Sequence, residues 1–258
     1  MALGIEKAYC LCLDKREEHW LDLKRQCESK NIEFCRFLVG EGKLFPKEEY
    51  DHIDSPVPIR LQNPSGWRYG GNPQFDTREM MIFKKTRHYN AFLSHKKMAK
   101  RALSEGCKKV LFLEDDAYFT ERFDDVVSKV VNHVEDLDYD MLYLGWWIGS
   151  EGDLFNEAIE TAWEKNKRTG ACKVGTIIEI DGNTRITSLI GGLHGVILRE
   201  TILKLIAEKL EPINPVDSQL NSNFFHHMIK SYFLVPKIIH DKGIMSHCEQ
   251  STTKRMKL

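Results

Sequence analysis

The sequence predicts an α/β fold with a mainly parallel central sheet, flanking helices and a smaller antiparallel portion. Three observations carry that prediction. Short, continuous apolar runs such as "AYCLCL", residues 8–13, have the length and composition of strands covered on both faces. Longer segments with apolar residues at helical spacing separate these runs, and such alternation marks parallel β-α-β units. Late in the chain, two strand-like segments flank Asp181-Gly182, a hairpin signal that supplies the antiparallel part.

Each element follows from its own pattern. After the first strand, "KREEHWLDLKRQCESK" suits a helix with Trp20, Leu23 and Cys27 on one face, and "IEFCRFLV" is the next strand. Residues 40–76 change character: Pro46, Pro56, Pro58, Pro64, Gly66, Gly70, Gly71 and Pro73 punctuate polar sequence and predict a long loop region, functional or a plain surface excursion. A helix is expected from about Arg87 to Glu105, with Gly106 as its stop, then the strand "KVLFL". Phe123, Val126, Val127, Val130, Val131 and Val134 recur at helical spacing. "DMLYLGWW" reads as a strand and "LFNEAIETAWEKNKR" as a helix; after the hairpin come helices near residues 199–210 and 217–229 and the strand "YFLVPKII". No linker-like composition divides the chain, so one domain over 1–258 is expected.

Composition narrows the function classes. The 258 residues hold 37 Lys plus Arg against 38 Asp plus Glu, a net charge of −1, which gives no reason to expect a nucleic-acid or anionic-membrane partner. The start, "MALGIEKAYC", breaks its apolar run with Glu6 and Lys7, so neither a signal peptide nor a membrane span is visible, and a cytoplasmic protein is expected. Seven scattered cysteines without a CxxC pair read as reduced, buried thiols.

The segment "VLFLEDDAYF" places Glu114, Asp115 and Asp116 straight after a buried strand, at the sheet end where ligands of open α/β folds gather. In an extended chain Glu114 and Asp116 point one way and Asp115 the other. Two carboxylates on one side suit a hard cation, Mg²⁺ or Mn²⁺, bridged to substrate phosphates. The alternative is a set of solvated acids that cap the next helix.

The flanking segments extend the pattern. "CLDKREEHW", "LSHKKMAKRALSEGCKKVLFLEDDAYF", "YDMLYLG", "GGLHGVILRETILKLI" and "PVDSQL" occur in the order and spacing of family 25 glycosyltransferases, and over residues 8–251 the chain resembles that family of bacterial lipo-oligosaccharide and procollagen galactosyltransferases. The resemblance implies a GT-A fold, a UDP-sugar donor with galactose or glucose favoured, and transfer with inversion to a hydroxyl of a glycan, a lipid-linked saccharide or a hydroxylysine-bearing protein. It implies that Asp116 and Glu114 hold a divalent metal, with His247 a further candidate ligand. Asp14, Arg16, Ser94, His95, Glu114 and Asp115 then fall to donor binding, and Asp217 to the general base. Two departures accompany the match: "HYNAFLSH" lacks the family's usual Gly-Cys pair, and "GGLHGVIL" lacks its aromatic residue, where acceptor contacts are expected.

Each assignment has a plainer counterpart. Asp217 and Asp14 can serve as helix N-caps, His95 as a buried structural residue supporting the acids, and His240 and His247 as surface residues. Trp67 and Tyr69, between glycines, suit a lid over the acceptor. Gln250 and Ser251 resemble a late family signature. His226-His227 lacks the pattern of a zinc hydrolase, and of Trp146-Trp147 one ring is expected in the core. Two rival readings are a metal-dependent nucleotidyltransferase or phosphohydrolase, disfavoured because no Gly-rich phosphate loop follows the first strand, and a non-catalytic carbohydrate-binding module.

Overall fold

A computed structural model describes residues 2–13, 16–39, 78–148, 176–180, 190–210, 216–220, 229–235 and 237–242. The strands are Lys7–Leu13 (β1), Glu33–Val39 (β2), Lys109–Glu114 (β3), Ala117–Phe119 (β4), Met141–Tyr143 (β5), Trp147–Ile148 (β6), Thr176–Ile180 (β7), Ile190–Gly191 (β8), Val196–Arg199 (β9), Ser231–Val235 (β10) and Ile239–Asp241 (β11). The helices are Glu17–Ser29 (α1), Arg78–Ser104 (α2), Phe123–Asp136 (α3), Glu200–Lys204 (α4), which runs on as a π turn over Leu205–Lys209, and Val216–Leu220 (α5).

Seven strands form one sheet in the order β2-β1-β3-β9-β5-β10-β7. β2, β1, β3, β5 and β10 run in one direction, while β9 and β7 oppose their neighbours. The mainly parallel sheet is as predicted. Its antiparallel members are β9, reversed in the middle of the sheet between β3 and β5, and β7, which pairs with β10. The segment read as one strand at "DMLYLGWW" also divides: β5 stays in the main sheet and β6 pairs with β8 in a separate ribbon. "YFLVPKII" divides likewise into β10 and β11, on either side of Pro236, and β11 pairs with β4. Proline has no backbone N–H for a ladder, so a break there is expected.

Strand alternation sorts the core into two layers. On β3, Val110 and Phe112 join the layer that holds Phe92, Met98 and Ala102 of α2 and Ile202 and Leu203 of α4. Leu111 and Leu113 face the other layer, with Leu23 and Cys27 of α1 and Phe123, Val126, Val130 and Val134 of α3. All four β3 residues are fully buried, which is why the run is continuously apolar. At roughly 1.5–3 kcal/mol per buried large apolar side chain, the α3 face alone anchors that helix firmly, despite its β-branched residues.

Two helix ends show why the chain turns where it does. After α2, Gly106 takes φ +78°; its N–H donates to the Leu103 carbonyl (3.0 Å) and that of Cys107 to the Ala102 carbonyl (3.0 Å). This is the Schellman arrangement, and it confirms Gly106 as the stop. Asn31, at φ 56°, ends α1 in the same way, with the Ile32 N–H on the Cys27 carbonyl at 2.9 Å. The α2 helix begins earlier than the sequence suggested, at Arg78. The expected helix at 154–168, the Asp181-Gly182 turn, the loop region 40–76 and the latter part of the helix at 217–229 lie outside the described residues.

Candidate active site

The acids stand at the carboxyl end of β3. Strand geometry ends at Glu114, and Asp115 and Asp116 form a turn into β4, so the extended-chain alternation expected across all three does not hold. Glu114 continues the Val110–Phe112 face and therefore looks towards the α2 and α5 side of the sheet. Asp115 is buried against Arg16, whose Nη1 donates to its Oδ1 at 3.0 Å; the same nitrogen lies 4.0 Å from Asp116 Oδ2. One guanidinium thus faces two carboxylates across the gap between β1 and β3.

The turn is held from behind. The Lys242 N–H donates to the Asp116 carbonyl at 2.9 Å, and β11 lies antiparallel to β4 with Asp241 opposite Ala117 and His240 opposite Tyr118. The Phe119 N–H donates to Gln26 Oε1 of α1 at 2.7 Å. Chain segments 90 or more residues apart therefore fix the position of Asp116.

Carboxylates crowd this turn. Burial, then the charges of Asp116, Asp217, Asp115 and Asp241, push Glu114 up to about 8. Burial and Asp115 also raise Asp116, against the opposing pull of Arg16. Negative charge in the turn is only partly neutralised, an environment that favours a bound cation. Among the described residues no group of three or more His, Cys, Asp or Glu side chains is arranged to hold a metal ion by itself. A hard cation that keeps its waters and takes oxygen from a phosphate needs only one or two carboxylates, and Glu114 and Asp116 are oxygen donors of that kind.

Asp217 stands near enough for its charge to act on Glu114. It is the second residue of α5, inside the first turn and not at the N-cap, and its Oδ2 accepts the Gly192 N–H at 3.0 Å. Its carboxylate is thus tied across the fold. Gly192 has φ +88°, a conformation that side chains disfavour, so the loop can present that N–H because the residue is glycine. The charge of Asp217 is felt by Glu114, His95 and His194 alike, which places it as the common neighbour of all three.

His95 sits on α2 beside the ring of Phe112, with centroids 6.3 Å apart. Its Nδ1 donates to the Ala91 carbonyl at 2.8 Å, because a carbonyl can only accept, and this leaves Nε2 as an acceptor. That Nε2 is buried without a hydrogen-bond partner, and burial lowers the affinity of the ring for a second proton. Ser94, its neighbour on α2, is buried.

The structure therefore brings together Arg16, Glu114, Asp115, Asp116, His95 and Asp217. Asp14, His247, Trp67, Tyr69, His226, His227, Gln250 and Ser251 lie outside the described residues. Asp14 is not the N-cap of α1, since Arg16 holds that position. His240 lies on β11 with its ring stacked on Tyr118, centroids 5.7 Å apart. Trp146 is in the core as expected, and its Nε1 donates to the Leu234 carbonyl at 3.0 Å. Sequence reasoning missed Asp241 and His194. Glycine on both sides of a histidine in "GGLHG" is the one sequence signal for the latter.

Comparison with known proteins adds three findings. The model of a family described as glycosyltransferase family 25 (LPS biosynthesis protein) matches residues 90–220, just over half of the chain. No curated protein matches. A solved structure titled "Crystal Structure of A197 from STIV" is similar over 88% of this chain and 81% of that one, at 11% identity and a TM-score of 0.32. The matched segment 90–220 contains His95, the acid turn, Gly192 and Asp217.

Proposed function

The chain belongs to glycosyltransferase family 25 and is a glycosyltransferase, and from that premise we propose that it moves a hexose, galactose or glucose, from a UDP-sugar to an acceptor hydroxyl with inversion at the anomeric carbon, on a GT-A architecture. The observation that carries this reading is the pairing of the carboxylate-crowded turn at Glu114–Asp116 with a separate, backbone-tethered carboxylate, Asp217, whose charge reaches Glu114.

Two charge changes must be met in the reaction. The bond between C1 and the diphosphate oxygen breaks, and UDP departs with the electron pair. A bond forms between C1 and the acceptor oxygen, and the hydroxyl proton goes to Asp217 as general base. Asp217 suits this role because the Gly192 N–H fixes one oxygen and so orients the other. Glu114 and Asp116 would hold a divalent cation, Mn²⁺ or Mg²⁺, which supplies Lewis-acid stabilisation of charge on the leaving diphosphate. Arg16 braces Asp115 through Nη1 and keeps further N–H donors for phosphate oxygens. His95 offers its Nε2 lone pair to a donor hydroxyl.

The acceptor is a hydroxyl of a glycan, a lipid-linked saccharide or a hydroxylysine-bearing protein. No helix among the described residues is long and apolar enough to cross a membrane.

The test is UDP release from a panel of UDP-hexoses with Mn²⁺, with Mg²⁺ and with chelator, in wild type and Asp116→Ala. Cation-dependent UDP release from one donor, lost in the variant, is expected. Release of hexose 1-phosphate instead would replace the reading, with hydrolysis of the diphosphate if UMP appears beside it and with nucleotidyl transfer if the UMP group is found on another molecule. Tight sugar binding with no turnover on any donor would replace it with a carbohydrate-binding module.

A further inference from the structure

His194 has no part in the mechanism so far. The residue is 5% exposed, and its Nε2 is buried with no hydrogen-bond partner. A polar nitrogen taken out of water without a partner is uncommon in folded proteins and marks a place where a ligand can supply the missing bond.

The ring is closely fitted. A Cβ on Gly192 would stand 2.6 Å from His194 Nδ1, and one on Gly145 would stand 3.0 Å from its Cδ2. These two glycines leave a slot that admits an imidazole and little else. Gly195, beside the histidine, packs as tightly on Ile239 of β11, since a Cβ there would lie 2.9 Å from the Ile239 side chain. The Gly192 N–H that forms one wall of the slot is also the donor to Asp217. The imidazole is thus built into the same loop that positions the proposed base.

Its surroundings locate it between the two halves of the site. The charges that act on the ring are Asp241 on β11, Lys237 and His240 on the same segment, and Asp217 on α5. Glu114 feels Asp217 and Asp241 too. A hexose being transferred must lie between the diphosphate, at the acid turn, and the base, at Asp217. His194 is tied to that interval from both sides: Gly192, packed on its ring, donates to Asp217, and Gly145, packed on its other edge, abuts Ile239 of β11, the strand behind the acid turn. Burial keeps the ring neutral, so Nε2 is either an N–H donor or a lone-pair acceptor, and a sugar hydroxyl can answer both.

We propose that His194 is a donor-sugar contact, its Nε2 hydrogen-bonded to a hydroxyl of the hexose in the bound UDP-hexose. This inference rests on the reading of the chain as a UDP-hexose transferase. It goes beyond that reading by assigning the sugar, as distinct from the nucleotide, to a particular side chain.

The experiment compares, by calorimetry with Mn²⁺ present, the affinities of UDP, UDP-galactose and UDP-glucose for wild type, His194→Leu and His194→Gln. Wild type should bind one UDP-hexose more tightly than UDP. His194→Leu should lose about tenfold of that UDP-hexose affinity, the worth of one good hydrogen bond, with UDP affinity unchanged. His194→Gln, whose amide reaches the position of Nε2, should recover part of the loss. Affinities are compared below the melting temperature of each unliganded variant, so that a packing defect in the closely fitted slot is not read as lost binding. A ring ¹⁵N spectrum of the wild type gives a second readout: the His194 Nε2 signal, assigned by its absence from His194→Gln, should shift with UDP-hexose and stay in place with UDP. Equal weakening of UDP and UDP-hexose, an unchanged ratio in His194→Leu, or an Nε2 signal blind to the sugar would each overturn the assignment. Wild type that binds neither UDP nor UDP-hexose would remove the transferase reading, and this inference with it; wild type that binds both normally, with no effect of His194, removes the inference alone.

Discussion

Glu114 is held in a state that pH can change. Its folded value of about 8 lies above its ordinary 4.5, chiefly through burial. The folded protein keeps a proton there that the unfolded chain releases, so this stabilisation is complete below about pH 4.5 and is lost as pH rises through about 8. Glu114→Gln, melted without divalent cation, should therefore exceed wild type by about 1–3 kcal/mol at the alkaline end, with the difference closing towards acid. His194 works the other way: it is pushed down to about 4 from 6.5, so its contribution is present above 6.5 and lost as pH falls through 4. Asp217→Asn keeps an oxygen for the Gly192 N–H but cannot take a proton; transfer should fall about 10²–10⁴-fold while UDP affinity, measured by calorimetry, stays unchanged. At this scale much was legible. Glu114, Asp115 and Asp116 stood out because acids straight after a buried strand are a local pattern, whereas Arg16 and Asp217 were singled out through the family resemblance, and the local pattern around Asp217 pointed to an N-cap position that it does not hold. His194 and Asp241 could not be read, because a lone histidine or aspartate gains its meaning from neighbours about 20 to 130 residues away.

Among the elements, the loop from β8 to β9 governs the site. Gly192 combines a left-handed backbone, contact with the His194 ring and the hydrogen bond to Asp217. Gly192→Ala would add a methyl 2.6 Å from His194 Nδ1 at φ +88°, and should cost about 1–3 kcal/mol in a denaturant melt. Because the same peptide orients Asp217, turnover should fall in that variant even at temperatures where it remains folded. β9 itself was missed in the sequence for a physical reason. Its four residues run directly into α4 at Glu200, so their apolar pattern merges with that of the helix. The α3 face and the Gly106 stop were legible because each is set by contacts within a few residues.

At the scale of the whole molecule, the two core layers share the sheet and draw residues from both ends of the described chain. Tyr9 and Phe233 lie in one layer, Leu3 and Ile239 in the other. Neither layer can form without strands from early and late sequence. A single cooperative thermal transition is expected, with calorimetric and van't Hoff enthalpies in agreement; two separate transitions would show two folding units. Strand and helix alternation announced this sheet. The reversal of β9 was hidden, because apolar periodicity records which faces are buried and carries no direction.

The closure of the acid turn by β11 also sets a time at which activity can begin. Asp116 is fixed by the Lys242 N–H, and β4 finds its partner only when residues 239–241 are available. A ribosome that has delivered β1, β3 and α5 has made most of the acids but not yet a working centre. Until residues 239–242 clear the exit tunnel the crowded carboxylates lack their backing strand, so a nascent chain stalled before that point should be unable to consume nucleotide sugar, and one stalled after it should turn over.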